Sequence, residues 1–274
     1  MLRKYQPKLF GVVGLMALLA ALAISAIAAA SASAEAGGPV WSIEGATLKG
    51  GEEAAFTSEG GKFTLDGTAN IACETEQDTG VIIGTNPGLD LSTIEFLKCH
   101  LETNVNCLAG NSGAETIITE VQSVLVYPHE EPETDGQAYD AFFPDNKNTS
   151  ENLFVEFTLT GGSSVCGLLN GVKVDVTATG TLVTADGINK KCGVLAEVGY
   201  LDSLSQFVLA EAGNLATIGA LNSTGQPEEA TIWNPTTKEF ELIECKLSAL
   251  GAALELGLSD ITLVSGLAFG WNLP

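Results

Sequence analysis

The stretch from Phe63 to Cys107 constrains the fold more than any other, because it holds three of the six cysteines between short β-type runs. A turn at Asn86-Pro87-Gly88 divides it, since proline fixes φ and glycine permits positive φ. We interpret the stretch as a strand hairpin anchored by a disulfide. Cys73–Cys99 is the first expected bridge. In the alternatives, the segment from Cys99 to Cys107 closes on itself or is tied to Cys166.

All six cysteines follow an N-terminal secretory signal, and behind such a signal an even number is typical of disulfides. We therefore predict three disulfides, with some free thiols as the alternative. A metal site is not predicted, because the chain has no C-x-x-C pair and only His100 and His129 could add ligands. The disulfide candidates are Cys73, Cys99, Cys107, Cys166, Cys192 and Cys245.

The N-terminus has the pattern of that signal, because Arg3, Lys4 and Lys8 lead into an uncharged run over residues 9–34 that ends in small side chains. Ala32-Ser33-Ala34 offers a cleavage site, so residues 1–34 are predicted to be a signal peptide. The alternative is a retained membrane anchor, since about 20 apolar residues can cross a bilayer. No second run of that length follows. We expect a secreted or cell-surface chain with no membrane insertion after cleavage.

The charge of the chain excludes several partners. Removing residues 1–34 takes away three bases and no acids, so the formal net charge goes from −22 to −25. Binding of DNA, RNA or anionic lipid needs a basic patch, and we therefore exclude these partners. Hydrophobic residues make up 45% of the chain and charged residues 17%, which favours a folded core over a disordered acidic chain.

Short alternating runs bounded by turn residues fill the rest of the sequence. The clearest lie at 153–159 and 172–183, and the run at 239–247 alternates so regularly that one face should be buried. This pattern predicts an all-β protein with disulfides, arranged as an antiparallel β-sandwich or a barrel-like fold. Two β lobes are possible at this length.

The clearest boundary between such lobes is the segment 128–152, which has three prolines, seven acids and no sustained periodicity. We predict a first β lobe at 35–127, an acidic loop or linker at 128–152, and a second β lobe at 153–274. The adjacent Phe142 and Phe143 indicate that part of this loop is packed against the protein.

The C-terminal region contains the one helix candidate, Ser248 to Leu258, where leucines recur three or four residues apart. Glycines at 251 and 257 disfavour a helix. We favour strands at 252–258 and 261–264, joined by a turn at Ser259-Asp260.

Several short sequence motifs occur in order along the chain: Ile71-x-Cys73, Gly84-x-x-Pro87-Gly88, Glu95-Phe96-x-x-Cys99, Cys166-Gly167-Leu168 and Leu263-x-Ser265-Gly266-x-x-Phe269-Gly270. In this order they resemble a group of uncharacterised secreted, β-rich, cysteine-containing proteins of actinobacteria. The resemblance implies an extracellular, cysteine-paired protein. It supplies no catalytic or ligand-binding residues.

No catalytic residues are predicted. A nucleophile triad needs a serine or cysteine within reach of a histidine, and the serine-bearing turn at Ser112 lies only twelve residues after His100. No G-x-S-x-G elbow is present. A carboxylate pair could hydrolyse carbohydrate, but with 34 acids no pair can be selected. Trp41, Trp233 and Trp271 could stack on sugars, although tryptophans in β proteins more often pack in the interior.

No cofactor is predicted, and calcium is the alternative that the sequence leaves open, because calcium prefers clustered oxygen ligands. However, Lys147 occupies a position where a D-x-D-x-D loop needs an acid. A solvated acidic loop is the simpler interpretation. The candidate ligands are His129, Glu130, Glu131, Glu133, Asp135, Asp140, Asp145, Asn146 and Asn148.

Together these features predict a secreted or cell-envelope-associated protein, most simply a non-enzymatic binding or structural module for an unknown extracellular ligand or envelope component. The alternative is a secreted hydrolase that acts on carbohydrate through a carboxylate pair. A deep pocket with two facing acids would favour the hydrolase, and a smooth surface would favour the module.

Overall fold

The computed structural model describes residues 37–66, 70–113, 115–128, 137–145, 152–185, 188–201, 207–209, 221–222, 228–248, 253–256 and 259–273. The predicted signal peptide, residues 1–34, lies outside the described residues. The remainder forms one compact unit.

The described chain is built almost entirely of strands, which confirms the predicted all-β class. A short 3-10 turn lies at Gly167–Leu169. The strands are β1 (Val40–Ile43), β2 (Ala46–Thr47), β3 (Glu53–Gly60), β4 (Phe63–Asp66), β5 (Ile71–Cys73), β6 (Thr75–Ile83), β7 (Leu89–Leu97), β8 (His100–Leu101), β9 (Asn104–Gly110), β10 (Thr116–Pro128), β11 (Ala138–Pro144), β12 (Leu153–Thr160), β13 (Lys173–Ala178), β14 (Leu182–Ala185), β15 (Ile188–Lys191), β16 (Val194–Leu201), β17 (Phe207–Leu209), β18 (Leu221–Asn222), β19 (Glu228–Asn234), β20 (Glu239–Cys245), β21 (Leu247–Ser248), β22 (Ala253–Leu256), β23 (Ser259–Leu263) and β24 (Phe269–Asn272).

Two large antiparallel sheets contain most of these strands. The main sheet has the order β17-β16-β11-β10-β7-β6-β3-β23, with β18 beside β16 and the β19–β20 hairpin attached to β10. The second sheet has the order β21-β13-β12-β9-β8-β5-β4-β22. Strands β2, β1 and β24 form a small sheet, and β14 pairs with β15. The two large sheets are curled, as expected for the sandwich or barrel-like fold.

The hairpin of β6 and β7 confirms the interpretation of the stretch from Phe63 to Cys107. Its strands pair from Thr75↔Leu97 to Ile83↔Leu89, and the Asn86-Pro87-Gly88 turn joins them. The Thr85 hydroxyl donates to Pro87 O at 2.6 Å and fixes the turn. At the open end, the Cys73–Cys99 disulfide joins the residues that flank the two strands.

The three predicted disulfides are confirmed, and no described cysteine is free. Cys107–Cys166 ties β9 to the turn after β12, so the alternative in which Cys99 to Cys107 closes on itself is wrong and the tie to Cys166 is correct. Cys192–Cys245 joins the end of the β14–β15 hairpin to the end of β20. The first two bridges thus reinforce neighbouring strands, β5 beside β8 and β9 beside β12, whereas Cys192–Cys245 connects two hairpins that do not pair with each other.

The interior contains three apolar clusters. The first apolar cluster lies between the two large sheets and includes Phe96, Phe157 and Leu159. The second apolar cluster is on the same inner face of the main sheet, around Trp41, Phe56 and Trp271 from the small sheet and β3. A third cluster covers the opposite face near β10 and β11, under the hairpins β14–β15 and β19–β20.

The predicted division into two lobes is wrong, because each large sheet contains strands from both predicted lobes. Strand β3 pairs with β23, and β9 pairs with β12. The segment 128–152 is likewise not a linker, since β11 lies inside the main sheet between β10 and β16. Both faces of β11 are covered, and this burial of Phe142 and Phe143 outweighs the loop-like prolines and acids around it. Residues 129–136 and 146–151 of the predicted loop lie outside the described residues.

At the C-terminus, the preference for strands over a helix is confirmed by β22 and β23. The predicted turn at Ser259-Asp260 is wrong, because these residues begin β23 and pair with Gly60 and Glu59.

Candidate functional site

Polar side chains interrupt the apolar inner face of the main sheet. The inward positions of β10 run Val121, Ser123, Leu125, and those of β11 run Phe142, Asp140, Ala138. In each strand the polar residue separates a member of the first apolar cluster from a member of the second. We call the buried set the polar belt, and it comprises Ser58, Glu76, Asp78, Asp90, Ser92, Ser123, Asp140 and Ser259.

The strand register brings Asp90, Ser123 and Asp140 together. Ser123 is directly opposite Asp90, and its hydroxyl contacts Asp90 Oδ2. The same Ser123 Oγ lies 2.8 Å from Asp140 Oδ2. A serine hydroxyl has one hydrogen to donate, and an ionised carboxylate has none. Both contacts are therefore hydrogen bonds only when one of the two carboxyls carries a proton and donates it to Ser123.

Glu76 is held differently, at the other end of the belt. The Ser259 hydroxyl donates to Glu76 Oε2 at 2.7 Å, and Ser58 contacts the Ser259 hydroxyl in turn. Gly60 is opposite Glu76 in the register, and a Cβ at residue 60 would lie 2.1 Å from Glu76 Oε2. Here one hydroxyl donor, itself in contact with a second hydroxyl, and the missing side chain of Gly60 accommodate the carboxylate.

The centre of the belt has too few hydrogen-bond partners. Asp78 Oδ1, Asp140 Oδ1, Ser92 Oγ and Trp41 Nε1 are buried without one. Asp78, Asp90, Asp140 and Trp41 line a small cavity of about 10 Å³, which is about the smallest that can hold one water. A sugar ring does not fit there.

Burial dominates the electrostatics of the belt. It raises the pKa of Asp78 to about 8, with further rises from Asp90 and Glu76. The Ser92 hydroxyl is close enough to oppose this rise, although neither Ser92 Oγ nor Asp78 Oδ1 has a hydrogen bond of normal geometry. Burial also raises the pKa of Asp90 to about 6 and the pKa of Asp140 well above its ordinary value. The pKa of Glu76 rises through burial, partly offset by Ser259.

The outer face of the same strands carries a row of threonines, and its residues are exposed on β23, β3 and β6 and half-buried on β7. Thr262, Thr57, Thr79 and Thr93 are consecutive cross-strand partners on β23, β3, β6 and β7. The next row contains Asp260, Glu59, Gln77 and Glu95 in the same strand order. We call these eight residues the threonine face. An open depression of about 370 Å³ lies over its β23–β3–β6 part.

The sites considered from sequence do not assemble. Trp41, Trp233 and Trp271 are 3%, 7% and 1% exposed, so they pack in the interior and do not form sugar-stacking platforms. His100 is half-buried with its Nδ1 3.1 Å from Leu101 O, while Ser112 lies exposed in a turn. His129 lies outside the described residues.

Of the calcium candidates, Asp140 faces the polar belt, and Asp145 follows β11. The others lie outside the described residues. In the described ranges, no group of three or more histidine, cysteine, aspartate or glutamate side chains is arranged to hold a metal ion.

Sequence reasoning missed the polar belt. The available signal was positional, because Asp90 and Asp140 each occupy an inward position of a strand whose neighbouring inward positions are apolar or small. That signal requires the strand boundaries to be known first, and β11 was predicted as loop.

Comparison with known proteins adds nothing to this geometry: no protein-family model, no curated protein and no solved structure matches the chain. The class of the protein is therefore defined by its own structure: it is an all-β protein with three disulfides.

Within the part of the chain that the structure describes, no helix has the length and apolar composition needed to cross a bilayer.

Proposed function

We propose that this chain is a secreted or cell-surface, non-enzymatic binding or structural module, and that the threonine face is its contact surface. The observation that carries the proposal is the contrast between the two sides of β3, β6, β7 and β23. Their hydroxyl-rich outer side is open to solvent, whereas the acids on their inner side are enclosed.

The alternative, a carbohydrate hydrolase with a carboxylate pair, has less support. Asp90 and Asp140 face each other, but they are 4% and 3% exposed and line a cavity of about 10 Å³. Glycosidases hold their two carboxyl groups at least about 5 Å apart around a sugar and a water. Asp90 and Asp140 instead share one serine hydroxyl, which leaves no room for a scissile bond.

The chemistry of the threonine face favours a polysaccharide of the cell envelope that carries hydroxyl or amino groups. Its threonine hydroxyls and the Gln77 amide both donate and accept hydrogen bonds. Its three acids, Glu59, Glu95 and Asp260, accept from hydroxyls and attract amino groups, and none of its eight residues is basic. An anionic polymer would be repelled by this face and by the strongly acidic chain.

Extracellular localisation is supported by the three disulfides, because such bridges persist in oxidising surroundings and are rare in the cytosol. One bridge lies at the hairpin, one in the second sheet and one at the β19–β20 region.

The test is binding of the purified secreted protein to an array of neutral, amino-bearing and acidic polysaccharides and to isolated cell walls. We expect binding to a neutral or amino-bearing polymer. The triple variant T57V/T79V/T262V keeps side-chain shape and β-propensity but removes three hydroxyls, and it should weaken binding at least about tenfold. Thr184→Val, on exposed strand β14, is the matched control and should bind as the wild type does.

Equal binding by the triple variant and the wild type would show that the threonine face is not the contact surface. If the protein binds none of the polymers or cell walls, the proposed binding function is contradicted. Release of reducing sugar that is lost in D90N would favour the hydrolase.

A further inference from the structure

The polar belt places four acids in the interior without a basic partner. Glu76 and Asp78 come from β6, Asp90 from β7 and Asp140 from β11. Around them, β7 also contributes the hydroxyl of Ser92, and the neighbouring described strands contribute the hydroxyls of Ser58, Ser123 and Ser259 and the indole of Trp41. Within the described residues, the ion pairs join Lys98 to Glu74 and Lys173 to Glu156 and Asp175, all exposed and none in the belt.

The hydrogen bonds of the belt require protons that ionised carboxylates do not have. Ser123 has one hydrogen to supply, but its hydroxyl oxygen lies within hydrogen-bond distance of two carboxyl oxygens, one of Asp90 and one of Asp140. The second of these contacts is a hydrogen bond only when one of the two carboxyls carries a proton and donates it to Ser123. Asp78 has an oxygen with no hydrogen-bond partner in the same cavity, and among the described residues no basic side chain lines that cavity to offset a charge.

We propose that the polar belt is a proton-dependent clamp: the folded chain holds protons on the Asp90–Asp140 pair and on Asp78, is most stable in acidic surroundings, and loosens as the pH rises towards and beyond neutrality. The fold itself produces this clamp, because the register of β6, β7, β10 and β11 brings these carboxyls close together. It is independent of what the threonine face binds.

The direction of the pH effect follows from linkage. The folded chain raises the pKa of Asp78 to about 8 and of Asp90 to about 6, from an ordinary 3.8. Below about pH 4 both folded and unfolded chains are protonated, so the full stability is present. As the pH rises from there, only the folded chain keeps these protons, up to about pH 6 for Asp90 and about pH 8 for Asp78, and stability is lost over that range.

Protons explain the belt better than a bound cation does. No metal-binding group is found among the described residues, and the indole N–H of Trp41, itself without a partner, lines the same cavity. An N–H is a donor and does not coordinate a cation.

The test is denaturant unfolding of the secreted protein from about pH 4 to about pH 8.5, with its disulfides intact. The unfolding equilibrium constant should rise by up to about tenfold per pH unit for each proton that only the folded state holds. In D90N and D140N the amide replaces the protonated carboxyl, so each variant should fold, lose part of this pH dependence and exceed the wild type in stability at pH 8. Asp260→Asn makes the same substitution on the exposed face of β23 and should keep the wild-type dependence.

Calcium and a chelator form the second arm of the experiment, at about pH 8. No shift of the unfolding midpoint supports proton compensation, and a calcium-dependent shift lost in D140N would overturn it. A wild-type stability that is constant or increases with pH would also overturn the proposal. So would equal pH dependence in D90N, D140N and Asp260→Asn. If D90N and D140N do not fold, Asp78→Asn and the wild-type curve decide the matter.

Discussion

The first apolar cluster and the polar belt lie on the same inner face of the main sheet, only two residues apart along β10. The cluster consists of apolar side chains, whereas the belt consists of acids and hydroxyls. Val121 packs with Phe96 and Phe157 in the cluster, and Ser123 lies between two aspartates in the belt. Phe63 and Phe96 stack in the cluster with ring centroids 4.0 Å apart. Apolar burial does not depend on pH, whereas burial of a carboxyl does. One continuous interior therefore contains a constant region and a region whose stability changes with proton concentration.

The largest expected effect is in the apolar region. Phe157→Ala removes a ring that is 1% exposed between the two large sheets, and it should cost about 3–5 kcal/mol of unfolding free energy. Because no ionisable group is involved, the loss should be the same near pH 5 and near pH 8. Denaturant unfolding at both values measures it. A loss that changes strongly with pH would show that the two regions are not independent.

The next effect concerns the bridge at the open end of the β6–β7 hairpin. Replacing Cys73 and Cys99 together by serine should cost about 2–4 kcal/mol, because the unfolded chain is no longer constrained. The wild-type pH dependence should survive, since the belt is built from strand register and not from this disulfide. Denaturant unfolding measured against pH checks both points. Loss of the pH dependence in this double variant would mean that the bridge positions the belt.

A smaller loss is expected where the belt depends on a missing side chain. Gly60→Ala places a methyl group against Glu76 Oε2 and should cost about 1–3 kcal/mol through overpacking. Gly113→Ala also replaces a glycine, but in an exposed turn with open space around it and a φ of 102°. It reports backbone strain alone. Thermal unfolding of both variants separates the two causes, and a Gly60→Ala protein as stable as the wild type would contradict the close packing of Glu76.

The smallest loss of stability at acidic pH is expected for a serine of the belt, and this loss should increase as the pH rises. Ser123→Ala removes the shared hydroxyl and should cost about 1 kcal/mol near pH 4, where the carboxyls are neutral. Ser123 lowers the pKa of both Asp90 and Asp140, so the charged forms lose more than the neutral forms when it is removed. The cost should therefore grow towards pH 8. Ser112→Ala, in an exposed turn, is the control, and a cost independent of pH would contradict the role of Ser123.

Local features of the fold were predictable from sequence, and pairings between distant strands were not. The Asn86-Pro87-Gly88 turn and the cysteines on either side of the hairpin identified β6, β7 and the Cys73–Cys99 bridge, because each signal acts over a short stretch. Strand β11 was missed because its tyrosine and phenylalanines are surrounded by prolines and acids that are typical of a loop. Its place between β10 and β16 depends on contacts made by both of its faces, which no local pattern contains.

The polar belt was unpredictable for a related reason. The sequence does not show which of its 34 acids face inward, because a buried aspartate and an exposed one are the same letter. Asp90 becomes special only through its register with Ser123, and Asp140 only through the position of β11 beside β10. Likewise, the threonine row is visible only after β23 is paired with β3, across about two hundred residues of sequence.

The most direct test of the belt is the protonation of its carboxyls in the folded protein. Carbon-13 NMR of the aspartate carboxyls, titrated across about pH 4 to 9, distinguishes the protonated from the ionised form of each side chain, with D90N and D140N providing the assignments. We expect the Asp90–Asp140 pair to retain a proton at neutral pH and Asp78 to lose its proton near pH 8. If all three aspartates ionise below about pH 5, as exposed aspartates do, the belt does not hold protons and the clamp is contradicted.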